Sequence, residues 1–337
     1  MPRLAKAGQA LKREQTILAA DVGGTKTLLG LFRHGERGLI LLRESSLPSR
    51  RYRSLGLLIA DFLSQGPKAA IRAACLAVAG PVQGDRARLT NLPWRIDGAK
   101  LAGAIGAPRL TLINDVQAAA YGMLLAERSA FVALNPGAPR FTGKASKANM
   151  ALIAPGTGLG EALLYWDGQG YRALATEAGH ADFAPRNTAE AALHRYLQAR
   201  FGHASVERVL SGPGLMAIYD FLRRRHGARL DAPGVRARLD AQAIADAALA
   251  KSDALCVKAL EIFAGALAAE AGNVALRTLA RGGVIIGGGI APKILPALRT
   301  AEFRRAYADK GRFAAFVRAI PVVVAVNFPC FTPFVEI

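Results

Sequence analysis

Cysteine is scarce in this chain: three in 337 residues, at Cys75, Cys256 and Cys330. They lie far apart, each in apolar company, with no CxxC pair. An odd, scattered set argues against a disulfide framework and a structural zinc site, and points to a reducing compartment. Aromatic residues are few, at 7%, and do not interleave with the basic ones. Acidic residues are also outnumbered, 25 against 44 Lys and Arg, for a formal net charge of +19. The excess is mostly scattered arginine (Arg50, Arg51, Arg53, Arg86, Arg88, Arg223 to Arg225), and nothing resembles a recognition helix or zinc finger. We therefore expect an Arg-rich solvated surface and a pull on anionic substrates, with no nucleic-acid partner.

Long apolar runs are missing too. The longest uncharged stretch, 319–335, contains Pro321, Asn327, Pro329 and Pro333, which a membrane-spanning helix resists. No membrane partner is expected. Residues 1–15 are basic without an apolar core, so they do not form a secretory signal; a short basic arm over 1–16 is expected, disordered or from a mis-assigned start. What remains is 52% apolar and 20% charged, a globular composition, and the length suits two α/β domains.

The informative stretch is Ile17 to Thr27, ending Asp21-Val22-Gly23-Gly24-Thr25-Lys26-Thr27. An apolar run, a glycine pair and a second apolar run predict strand, tight turn, strand. Two glycines let backbone amides approach a phosphate, Thr25 and Lys26 add a hydroxyl and a positive charge, and Asp21 suits magnesium held through water. An ordinary Asp-Gly hairpin is the other reading. The pattern recurs at Ala151 to Glu161 around Pro155-Gly156-Thr157-Gly158, which suggests two related domains, each offering a phosphate turn; chance recurrence is the alternative.

Between these turns, the spacing predicts strands over 39–45, 72–80 and 110–113 and helices over 52–64, 98–106 (capped by Asp97) and 116–125. Asn114-Asp115 thus stands at a strand's carboxyl end, where open α/β sheets place chemistry, unless Asp115 simply caps the helix. Glu177-Ala178-Gly179-His180 lacks metal-ligand spacing; its Glu and His suit polyol hydroxyls, or a structural role. Further on, helices are predicted over 190–201 and from Leu215, then a long amphipathic helix carrying Cys256, Phe263, Leu267 and Val274. A buried strand follows and opens on Gly287-Gly288-Gly289, which can lie flat against a purine or ribose or merely turn the chain.

In this order the motifs resemble the bacterial glucokinase family of the actin-like sugar kinases, over about residues 17–325. Asp21 to Thr25 resembles that family's first phosphate loop, Ala154 to Gly160 the second, Gly287 to Gly289 the adenosine loop, Leu112 to Asp115 the catalytic strand end, and Glu177 to His180 and Val206 to Gly212 the sugar segments. The resemblance implies two actin-like (ribonuclease H-like) domains with a cleft between them, closing over the sugar to exclude water. It implies a small domain over 17–116 with a C-terminal return near 319–337, and a large domain over 117–318.

The implied activity is cytoplasmic: transfer of the ATP γ-phosphoryl group to the 6-hydroxyl of glucose, at the entry to glycolysis, by a homodimer. Asp115 would be the base. Asn114, Asp115, Glu177, His180 and Glu207 would bind glucose; Ala20, Asp21, Val22, Gly23, Gly24, Thr25, Gly156, Thr157, Gly158, Gly287, Gly288 and Gly289 would bind ATP; Asp21 would hold Mg2+. A kinase for another hexose is the alternative, and a non-catalytic sugar sensor a further one. The chain lacks the CxCGxxGC zinc motif of the ROK sugar kinases and any appended helix-turn-helix. Its ending departs from the family: Asn327 to Ile337 has neither the expected Gly-rich segment nor the final helix, which suggests a divergent or frameshifted C-terminus.

Overall fold

The computed structural model describes residues 16–35, 38–66, 70–89, 91–225 and 239–326. The chain divides into two compact units, whose described parts are 16–122 and 123–326.

In the first unit, β1 (Thr16–Val22), β2 (Lys26–Gly35) and β3 (Gly38–Pro48) form an antiparallel meander. After α1 (Leu55–Ser64), β4 (Ile71–Val78) pairs parallel with β1. A small sheet of β5 (Val82–Gln83), β6 (Arg86–Arg88) and β7 (Arg95–Asp97) and α2 (Gly98–Ile105) lead to β8 (Leu110–Asn114), parallel to β4, and then to α3 (Asp115–Leu125). The main sheet runs β3-β2-β1-β4-β8. Strand β1 is apolar almost throughout because it is covered on both faces: Leu18, Ala20 and Val22 join one cluster, Ile17 and Ala19 another. The helix predicted from Tyr52 starts at Leu55, because the Ser54 hydroxyl accepts the Leu57 N–H and ends the extended chain there. Asp97 caps α2 as expected, accepting from Lys100 N.

In the second unit, β9 (Phe131–Ala133) precedes the meander β10 (Met150–Pro155), β11 (Leu159–Trp166) and β12 (Tyr171–Thr176). Helices α4 (Thr188–Phe201), α5 (Gly212–Arg225), α6 (Ala241–Leu249) and α7 (Ala254–Thr278) follow, then β13 (Gly283–Ile286), α8 (Leu295–Leu298), α9 (Ala301–Ala308), α10 (Ala314–Arg318) and β14 (Val322–Ala325). The sheet order is β12-β11-β10-β13-β14-β9, with β10, β13 and β14 parallel. An antiparallel triplet followed by two parallel strands thus occurs in both units, so the echo between the two Gly/Thr turns extends to topology. Helix α7 is buried around most of its circumference, because α5, α6, α9 and the sheet all pack on it. Its many alanines allow that close approach.

Two boundaries differ from those expected. The division falls after Gly122, inside α3, and not at 116. The predicted return of 319–337 to the small domain does not hold for its described part. Val322–Ala325 is a fully buried β-branched run that needs neighbours on both edges, and it finds them in β13 and β9 of the second unit. The arm 1–15, Cys330 and the unusual ending 327–337 lie outside the described residues. Among the described residues, no helix is long and apolar enough to cross a membrane.

Candidate active site

The first of the two expected phosphate turns is the β1–β2 hairpin. Gly23 N–H donates to the Lys26 carbonyl at 3.1 Å, closing the turn and leaving Thr25 and Lys26 exposed. A side chain at Gly24 would lie 2.7 Å from Cβ of Asn91, so the glycine is required by close approach. Two buried hydroxyls that the motif did not reveal hold the turn from beneath. Ser49 Oγ donates to the Gly23 carbonyl at 2.8 Å and pairs with Thr27 Oγ1 at 2.9 Å, while Ser49 N–H donates to the Thr25 carbonyl at 3.0 Å. Ser49 is 22 residues away in sequence from Thr27, so no local pattern points to it.

Asp21 and Asp115 are both in this unit, at the carboxyl ends of β1 and β8. Burial pushes the Asp21 carboxyl up to about 6, the Asp115 charge pushes in the same direction, and Lys26 opposes them. A half-buried carboxylate that feels a second one favours a cation. Asp21 as a lone carboxylate fits an ion such as Mg2+ that takes its other ligands from water and substrate oxygens; among the described residues there is no group of three or more acidic, His or Cys ligands.

The capping expected of Asp115 falls instead to its neighbour Asn114. Asn114 Oδ1 accepts from Val116 N (2.9 Å) and Gln117 N (3.3 Å), so Asn114 caps α3, and its Nδ2 donates to the Gly80 carbonyl at 3.2 Å. Among the described residues its second Nδ2 hydrogen has no partner. Asp115 Oδ1 accepts from Val116 N at 2.9 Å, which orients the carboxylate at the first turn of the helix.

In the second unit, the β10–β11 turn, the sugar segments and the triple glycine meet. Gly156 N–H donates to the Gly158 carbonyl at 2.8 Å, and Gly212 N–H, at the start of α5, donates to the Gly156 carbonyl at 2.8 Å. Glu207 Oε2 accepts the Leu159 N–H at 2.9 Å, and a Cβ on Gly158 would stand 2.5 Å from the same oxygen. Glu207 N–H in turn donates to the Gly179 carbonyl at 2.8 Å. One carboxylate oxygen of Glu207 therefore braces the β10–β11 turn, a structural role that sequence reasoning missed.

The segment 177–180 is a 3₁₀ turn that leaves Glu177 and His180 largely exposed, 3.9 Å apart. It is fixed from below by Val206 N–H donating to the Ala181 carbonyl at 2.9 Å. His203, unsuspected from sequence, adds Nε2 at 3.2 Å from the His180 carbonyl. The triple glycine reaches the same end of the sheet: Gly287 N–H donates to the Ile153 carbonyl at 2.8 Å, and Gly288 adopts φ +74° with room for no Cβ, since one would lie 2.4 Å from the Pro155 carbonyl oxygen.

The predicted residues thus fall into two sets. Ala20 to Thr25, Asn114 and Asp115 belong to the first unit. Gly156 to Gly158, Glu177, His180, Glu207 and Gly287 to Gly289 belong to the second.

A family model described as Glucokinase matches residues 18–329. The chain is 37% identical to a glucokinase of Synechocystis sp., with 92% of this chain and 94% of that protein covered. It is 38% identical to one of Chromobacterium violaceum, covering 90% and 84%. Among solved structures it is similar to a glucokinase from an Antarctic psychrotroph, with TM-score 0.79 at 30% identity over 93% of this chain and 95% of that one. A ROK family glucokinase from Streptomyces griseus in complex with glucose and AMPPNP shares the fold, with TM-score 0.58 at 19% identity over 90% and 97%.

Proposed function

The chain belongs to the glucokinase family, and from that premise we propose how its residues carry out ATP-dependent phosphorylation of glucose at the 6-hydroxyl. The bond from O6 to the γ-phosphorus forms, the bond from that phosphorus to the bridging oxygen of ADP breaks, and the hydroxyl proton must go to a base. Asp115 is that base. Because the proton leaves as the new bond forms, a carboxylate of ordinary basicity suffices. Val116 N–H holds one of its oxygens, so the carboxylate is oriented before substrate arrives.

The amides of Gly24 and Thr25 in one unit and of Thr157 and Gly158 in the other meet phosphate oxygens on this reading, the Gly23 and Gly156 amides being used to close their turns, and the flat Gly287 to Gly289 segment accepts the nucleoside. Asp21 would hold magnesium through water, and that ion, when bound, supplies charge neutralisation on the β and γ oxygens. Asn114, Glu177, His180 and Glu207 accept from and donate to the sugar hydroxyls. Each hydroxyl missing from a wrong sugar would leave a polar group unmatched, which is how such a set selects stereochemistry.

The observation that carries this reading is that two Gly/Thr turns occupy equivalent hairpins of two sheets that share an antiparallel triplet followed by two parallel strands. Assembly as a homodimer and a cytoplasmic location belong to the same proposal: the location follows from where ATP and glucose meet, and the dimer is tested by sedimentation equilibrium, where a monomer mass at micromolar concentration removes it. The decisive test of the base is Asp115→Ala. Turnover falls by roughly 10²–10⁴-fold while glucose still binds, and near-normal turnover removes Asp115 from the role. A coupled assay of ADP release over glucose, mannose and glucosamine separates a glucose kinase from a kinase for another hexose.

A further inference from the structure

The second unit contains a cavity of about 1050 Å³ that none of the proposed glucose or ATP residues line. Its walls come from the loop after β9, the residues leading into α4, and the helices α9 and α10. Four arginines line it, Arg186, Arg304, Arg305 and Arg318, against two carboxylates, Glu302 and Asp309.

These arginines are not equivalent. Arg186 is fixed in place: its backbone N–H and Nε donate to Oε2 of the buried Glu190 at 2.9 and 3.1 Å, and Nη2 donates to Oε1. That leaves its Nη1 as an oriented donor. Arg305 is engaged with Glu302 at 2.8 Å. Arg304 and Arg318 are exposed, and among the described residues neither makes an ion pair. Two uncommitted guanidiniums and one pre-oriented one around a concave surface suit a phosphate, whose oxygens accept from several guanidinium donors at once.

The rest of the lining argues against a bare inorganic ion. Pro136, Ala301, Ala308 and Ala314 supply apolar wall, and the volume is at the top of the range, roughly 300–1,000 Å³, that holds whole organic ligands. Glu302 and Asp309 would repel a free anion but can accept from hydroxyls. We propose that this cavity is a second ligand site, for a hydroxyl-bearing phosphate monoester of hexose-phosphate or mononucleotide size. The phosphate lies toward Arg304, Arg318 and Arg186, and the hydroxyls toward the carboxylates.

The test is calorimetric titration of the full-length protein with glucose 6-phosphate, AMP and inorganic phosphate, in separate arms. Each is run with glucose and a non-hydrolysable ATP analogue at saturation, so that the substrate sites are filled. One equivalent of at least one ester binds, and the double variant Arg304→Ser/Arg318→Ser weakens it at least tenfold while kcat and both KM values stay within twofold. The arm that binds distinguishes a sugar phosphate from a nucleotide. Absence of ester binding, equal binding of inorganic phosphate, or unchanged affinity in the double variant overturns the proposal. So does a change of oligomeric state in that variant, which would make the face a subunit contact.

Discussion

Replacing Glu207 separates the bracing role seen for its carboxylate from the sugar contact proposed for it. In Glu207→Ala the half-buried Leu159 N–H loses a charged acceptor, a loss of about 1.5–3 kcal/mol. For a unit of this size each kcal/mol moves the melting temperature by roughly 2–4 °C, so a fall of roughly 3–12 °C is expected. The second oxygen, on the proposed reading, meets a sugar hydroxyl. Losing that charged hydrogen bond costs about 1.5–3 kcal/mol as well, or about 10- to 150-fold in glucose affinity.

Glu207→Gln retains a carbonyl oxygen for Leu159 and recovers most of the stability, while glucose stays weakened. Glu177→Gln is the control: Glu177 is 70% exposed, so it weakens glucose binding without moving the melting temperature. Thermal melts and glucose calorimetry read the two effects independently. An Ala variant that melts with the wild type would refute the bracing role, and unchanged glucose affinity would refute the sugar contact.

Three further outcomes follow from the same structure. Glu161 is buried, with one carboxylate oxygen lacking a hydrogen bond among the described residues. Burial and then the Glu270 charge push it from 4.5 to about 8, with Arg277 opposing. The folded state therefore keeps a proton that the unfolded chain releases, and the stability present below about pH 4.5 is lost as pH rises toward 8. Melts across that window should fall more steeply for wild type than for Glu161→Gln, and parallel curves would refute it. Gly288→Ala places a Cβ against a backbone carbonyl at positive φ, so KM for ATP should rise about tenfold with glucose affinity intact; an unchanged KM counts against the nucleoside segment. Ser49→Ala strips the buried partner from Thr27 and from the Gly23 carbonyl. A loss of about 1–3 kcal/mol, read by urea denaturation, is expected together with weaker ATP binding, and wild-type stability would show that the latch is dispensable.

Local chemistry made much of this site legible. The β1–β2 and β10–β11 hairpins follow from apolar runs broken by glycine, and Asp97 announces its helix. Asn114-Asp115 lands at a strand end because four apolar or β-branched residues precede it. Segments whose fate depends on distant neighbours were harder. Val322–Ala325 is equally apolar in either unit, and only pairing with β13 and β9 assigns it to the second. The periodicity of α7 suggests a stripe, but its burial on nearly every side depends on the helices around it.

By itself the sequence determined the two Gly/Thr turns, the carboxylates Asp21 and Asp115, and the order of motifs along the chain, because each rests on residues adjacent in sequence. Tertiary structure alone decided that Ser49 supports the first turn, that Glu207 braces the second, and that four arginines from three separate segments share one cavity. Those groups are brought together by strand register and helix packing, which carry no signature in any short stretch of chain.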